Sequence, residues 1–137
     1  AIADEYANTK SANLANLYLG GIYLRKGEYK KAIESLGKYS DTGSPVADPL
    51  APGLLGDAYS ELKDFKQAAT YYKKAADKAS NKFTSPLFLK KLGLVYEAQK
   101  DFKNAAESYS KIKSDYPESQ EATMIDEFIA RAEAQTK

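Results

Sequence analysis

Lys63-Asp64-Phe65-Lys66-Gln67-Ala68-Ala69 returns 37 residues later as Lys100-Asp101-Phe102-Lys103-Asn104-Ala105-Ala106. A looser copy, Gly27-Glu28-Tyr29-Lys30-Lys31-Ala32-Ile33, lies 36 residues before the first. Self-similarity at such a period marks a repeat architecture, in which a unit too small to bury its own apolar face is stabilised by stacking on its neighbours. Upstream of the three copies stand Leu19-Gly20 with Tyr23, Leu55-Gly56 with Tyr59, and Leu92-Gly93 with Tyr96. Downstream, Leu36, Tyr72 and Tyr109 hold one matching place.

The step from Leu-Gly to Tyr follows one face of a helix, and the downstream aromatic, Ala and Tyr steps fit a second helix. Each repeat is therefore expected to be a helical hairpin, with pairs at 13–26 and 29–39, 50–62 and 65–79, and 86–99 and 102–115. Gly20, Gly56 and Gly93 fall in helix interiors, where glycine costs about 1 kcal/mol relative to alanine. Close approach of the partner helix is the expected compensation, with Ala32, Ala68 and Ala105 as the small residues on its other side.

Asp48-Pro49 and Ser85-Pro86 each set a cap residue before a proline in a first helical turn, where the missing N–H is no loss. Pro52, one turn further in, is expected to delay the first helix of the second repeat. Ile2-Ala3-Asp4-Glu5-Tyr6-Ala7-Asn8-Thr9 repeats the spacing and chemistry of Ile112–Ser119, so residues 1–9 are read as the tail of a preceding helix. Repeats then span 13–47, 48–84 and 85–118. Residues 119–137 form a closing segment in which Met124, Phe128, Ile129 and Ala130 follow an apolar face. There Glu133 occupies the place of Tyr23, Tyr59 and Tyr96, and a charge in place of the docking aromatic ends the stack.

These residues resemble the tetratricopeptide repeat family, whose motif runs Trp-x2-Leu-Gly-x2-Tyr, then Ala, an aromatic, Ala and Pro. The resemblance covers nearly the whole chain and implies an all-α, right-handed α-solenoid of three helix hairpins plus a C-terminal capping helix. The sequence departs from the motif in having Asn16, Pro52 and Leu89 in place of the Trp, and only Pro117 supplies the closing proline. The period exceeds the family's usual length of about 34 residues, which points to longer loops such as Ser40-Asp41-Thr42-Gly43-Ser44-Pro45.

The inventory narrows the chemistry. No Cys and no His leave no thiolate metal site, no disulfide and neither of the commonest bases and ligands. Lys plus Arg number 20 against 19 Asp plus Glu, a net charge of +1 that gives no field for nucleic acid or an anionic membrane. No apolar run approaches the roughly 18 residues of a membrane span. Carboxylate pairs such as Asp126-Glu127 lie on helix faces expected to be exposed. The reading is a non-enzymatic chain, with no catalytic residues, metal or cofactor.

Stacked hairpins of this kind curve to leave a concave surface lined by their first helices. Helical spacing assigns that face to Leu14, Leu17, Gly21, Leu50, Gly53, Asp57, Leu87, Lys90, Lys91 and Leu94, joined by Leu54 and, toward one rim, Ser60 and Glu97. It is a groove with an apolar floor, suited to a short apolar or amphipathic segment of a protein or peptide. Some tetratricopeptide domains clamp a partner's terminal carboxylate with Lys, Asn and Arg. Of that set only Lys91 stands at a basic place here, with Gly21 and Asp57 where amides would be.

Tail and loop phrases, Ile2-Ala3-Asp4-Glu5-Tyr6 and Phe83-Thr84-Ser85-Pro86-Leu87-Phe88, resemble bacterial periplasmic tetratricopeptide proteins akin to the ancillary subunit of the SecYEG secretion translocon. That likeness implies a periplasmic location, tethered by a segment outside this chain, and a part in translocation or envelope assembly. The alternatives are a cytoplasmic location and a structural module that self-associates through its open N-terminal end.

Overall fold

The recurring Lys-Asp-Phe stretch is a helix stop followed at once by a helix start. Lys63 and Lys100 take the left-handed conformation, each with φ 61°, and Gly27 does so at the matching place with φ 78°. In each turn the next residue's N–H reaches back five residues, Asp64 to the Tyr59 carbonyl at 2.9 Å and Asp101 to that of Tyr96 at 2.8 Å. This is the Schellman closure of a helix C-terminus. The same Asp64 and Asp101 then cap the following helices, accepting from the N–H of Gln67 and Asn104, each at 3.3 Å.

The computed structural model describes the backbone of residues 2–136 and the side chains of residues 9–136. Its elements are α1 (Ile2–Arg25), α2 (Tyr29–Gly37), α3 (Ala47–Glu61), α4 (Phe65–Ala79), α5 (Ser85–Ala98), α6 (Phe102–Asp115), a 3₁₀ turn (Glu121–Met124) and α7 (Ile125–Ala134). Among the described residues there is no strand. Each helix packs on the next, and α1 also meets α3. Among the described residues the chain is an all-helical solenoid of stacked helix pairs.

Three local expectations are corrected. The separate helix tail over residues 1–9 is not seen, because α1 runs unbroken from Ile2 to Arg25 and Lys10-Ser11-Ala12 offers no glycine or proline to interrupt it. The second repeat's first helix does not start late. It begins at Ala47 and carries Pro52 inside it, so the proline removes one donor without stopping the helix. Nor do Asp48 and Ser85 cap their helices, since the N-cap positions belong to Val46 and Thr84.

Both displaced residues hold the preceding loops instead. The Asp48 carboxylate accepts from Thr42 N–H at 2.9 Å, Gly43 N–H at 2.7 Å and the Tyr39 hydroxyl at 2.8 Å. Burial pushes its pKa up, but these hydrogen bonds outweigh that and hold it below the usual carboxylate range. Ser85 Oγ accepts from Asn81 N–H at 3.1 Å and is itself buried.

The glycines also meet a different partner from the one expected. A Cβ on Gly20 would strike Leu36, one on Gly56 would lie 2.5 Å from a ring carbon of Tyr72, and one on Gly93 would strike the Tyr109 ring. The large residue of the second helix therefore lies over the bare backbone of the first. Ala32, Ala68 and Ala105, one turn earlier on those second helices, are wholly buried.

Candidate functional site

A repeat of 36 and then 37 residues places one residue of each first helix in each row along the inner face. One row reads Leu14, Leu50, Leu87 and, 37 residues on, Met124. Leu14 is half-buried, while Leu50, Leu87 and Met124 expose 41%, 38% and 57% of their surface. A neighbouring row reads Gly21, Asp57, Leu94 and Arg131, with Leu94 exposed. Burying one such leucine fully against a partner is worth about 1.5–3 kcal/mol.

Two of the expected groove residues are structural. Leu17 is only 5% exposed and packs with Ala32, Leu36, Ala51 and Leu55. Gly53 is buried because the Phe88 ring occupies the space where its Cβ would stand. The following hairpin covers both positions, with Ala51 and Leu55 over Leu17 and Phe88 over Gly53. Leu54 is half-buried in the same cluster as Leu17, and a Cβ on Gly21 would lie 4.0 Å from Leu54 Cδ1.

The charged members are tied to tyrosines. Asp57 Oδ1 accepts from the Tyr72 hydroxyl at 2.5 Å and from Lys91 Nζ at 2.9 Å, joining α3, α4 and α5. Glu97 accepts from the Tyr109 hydroxyl at 2.6 Å and from Arg131 Nη2 at 2.7 Å and Nε at 3.0 Å, joining α5, α6 and α7. Burial pushes both phenols well above their ordinary range, and the adjoining carboxylates add to the rise. The hydrogen bonds to Glu97 raise the Arg131 guanidinium.

Lys90 Nζ lies 4.9 Å from the centre of the Phe128 ring, beside the Arg131 guanidinium at 4.7 Å. The one lysine that matched a carboxylate clamp, Lys91, thus already has a carboxylate partner. A cleft of about 320 Å³ opens beside it, lined by Leu24, Tyr29, Asp57, Ser60, Glu61, Tyr72 and Lys91. The predicted residues do not gather into one enclosed cavity. A larger hollow, about 720 Å³, lies instead between α6 and the end of α7, lined by residues that include Lys103, Glu107, Ser110, Lys111 and Glu133.

Among the described residues, no three His, Cys, Asp or Glu gather in a way that could hold a metal ion. Among the described residues no helix is long and apolar enough to cross a membrane. What the face offers is contact area: a leucine row, exposed Tyr18 at 69%, and charges arrested in ion pairs. Met124 and Arg131 were not among the expected site residues. Adding the repeat length to Leu87 and Leu94 finds them.

Residues 54–120 match the family model of the tetratricopeptide repeat. The matched stretch takes in most of the second hairpin and the whole of the third, and it supports the tetratricopeptide reading of the repeated motifs. Tetratricopeptide repeats generally mediate protein–protein interaction, and proteins that carry them are typically non-enzymatic scaffolds. Their domains bind proteins or peptides. No curated protein matches the chain.

Proposed function

We propose that this chain holds a polypeptide segment along the inner face of its first helices, on the row Leu14, Leu50, Leu87 and Met124. The observation that carries the proposal is the exposure of Leu50, Leu87 and Met124 at one repeat position, on α3, on α5 and at the end of the 3₁₀ turn that precedes α7. A segment laid across them would bury apolar side chains at regular steps, while the Asp57–Lys91 and Glu97–Arg131 pairs would present polar groups to its backbone.

The test is a peptide selected from a random library on the intact chain, with affinity read by fluorescence anisotropy. Leu50→Glu and Leu87→Glu are each expected to weaken binding at least about tenfold with unchanged circular dichroism, as loss of a buried leucine requires. Lys74→Glu on α4 should leave affinity alone. Equal binding by all three variants rules the leucine row out.

We further propose the bacterial periplasm as the place of action and protein translocation or envelope assembly as the setting. This reading is supported by the likeness of residues 2–6 and 83–88 to periplasmic tetratricopeptide proteins. Fractionation of the source cell tests it, and recovery of the native protein in the cytoplasm would contradict it.

A further inference from the structure

Tyr72 and Tyr109 hold one repeat position, and each donates to a carboxylate of the preceding helix, Asp57 on α3 and Glu97 on α5. A cation from the following first helix then meets each carboxylate, Lys91 in one case and Arg131 in the other. At Glu97 the closure is complete, because Arg131 takes both oxygens, Nη2 on Oε1 at 2.7 Å and Nε on Oε2 at 3.0 Å. At Asp57 it is not. Lys91 Nζ at 2.9 Å and the Tyr72 hydroxyl at 2.5 Å share Oδ1, and Oδ2 receives no bond from any described residue.

Glu61, one turn further along α3, adds a second carboxylate whose one contact is a long bond of 3.4 Å from the Tyr29 hydroxyl. The cleft of about 320 Å³ beside Lys91 therefore sets two carboxylates against a single ammonium. Neither acid is placed for the good of its helix. Asp57 and Glu61 stand four residues apart, where like charges repel, and Glu61 is the last residue of α3, at the negative end of the helix dipole. A second cation in the cleft relieves both.

We infer that this cleft seats an arginine of the bound segment, its guanidinium between Asp57 Oδ2 and Glu61 and its stem along Leu24, which also lines the cleft. The inference rests on the inner-face reading above and adds the chemistry of the guest. Arg131 on Glu97 is the pattern for it within the same chain. A planar guanidinium serves two carboxylate oxygens at once, whereas the ammonium of Lys91 reaches one. Leu50, Leu54, Asp57 and Glu61 follow one face of α3 at steps of four, three and four. Leu50 and Glu61 are thus on the order of 16 Å apart along the helix. An extended stretch of about five residues spans that distance, with an apolar residue at one end and the arginine at the other.

Peptides selected from a random library on the intact chain test this, with Glu61→Gln, Glu61→Arg and Leu50→Glu as variants of the exposed face. Selection on the parent is expected to enrich arginine, and selection on Glu61→Arg is expected not to. For the tightest parent peptide, replacing its arginine by alanine should weaken binding to the parent about tenfold and to Glu61→Gln no more than about threefold. Peptides without arginine enrichment, or equal losses on the two proteins, overturn the inference. If those results come while Leu50→Glu still abolishes binding, the arginine seat falls and the inner-face reading stands. If Leu50→Glu binds as the parent does, that reading falls and takes the inference with it. A library that yields no binder contradicts both.

Discussion

Gly56 lies flat against the ring of Tyr72: a Cβ at position 56 would stand 2.5 Å from Tyr72 Cδ1 and 2.6 Å from Cε1. Tyr72 is 4% exposed and its hydroxyl is held by Asp57, so the ring has nowhere to retreat. Gly56→Ala is therefore expected to destabilise by about 1–3 kcal/mol through overpacking, although alanine is the better helix former. Gly21→Ala, whose Cβ would meet nothing closer than 4.0 Å, should be neutral or stabilise by up to about 1 kcal/mol. Urea denaturation of both variants checks the contrast.

The hydroxyls of Tyr72 and Tyr109 make the next expectation. Because folding raises both phenols above their ordinary value of 10.0, the folded chain keeps protons that the unfolded chain releases. Their contribution is complete below about pH 10 and is lost as pH rises beyond it. Tyr109→Phe should cost about 1.5–3 kcal/mol at neutral pH, since the bond lost is to a charged carboxylate. Replacing both tyrosines with phenylalanine should flatten the alkaline fall in stability, measured by thermal melts between neutral and alkaline pH.

Asp48 has the opposite sign. Its carboxyl is held below the usual carboxylate range, so its stabilising effect is full above about pH 4–5 and disappears as pH falls through the folded value. Asp48→Ala should cost about 1–2 kcal/mol at pH 7 by releasing the backbone of Thr42 and Gly43. At strongly acid pH parent and variant should melt together.

The left-handed lysines offer a gain. Lys63 and Lys100 occupy a conformation that penalises a Cβ, at the place where the first repeat has Gly27. Lys63→Gly and Lys100→Gly are each expected to stabilise by up to about 1 kcal/mol, seen as a higher melting temperature. A loss would show that the lysine stems contribute packing worth more than the strain.

How far these features are legible in the sequence depends on whether they recur. The hairpins were readable because Leu-Gly, Tyr and Lys-Asp-Phe return at one interval, and the edges of α2, α4 and α6 follow from that turn. Asp48 and Ser85 misled because a side-chain oxygen before proline can cap a helix or grip a loop, and only the three-dimensional course of residues 40–44 and 81–84 decides between them. The glycine contact was placed one turn away, since the spacing shows that two helices approach but not which residue fills the gap. The burial of Leu17 and Gly53 was not readable, because it depends on which side chains the following hairpin sets against them.

The most direct test of the central claim is a ¹⁵N–¹H NMR titration of the chain with a selected peptide ligand. Shift changes are expected along Leu14, Leu50, Leu87 and Met124 and their row neighbours Asp57, Lys91 and Leu94. Changes confined to the outer hollow lined by Lys66, Thr70, Lys73 and Tyr96, with the leucine row silent, would contradict it.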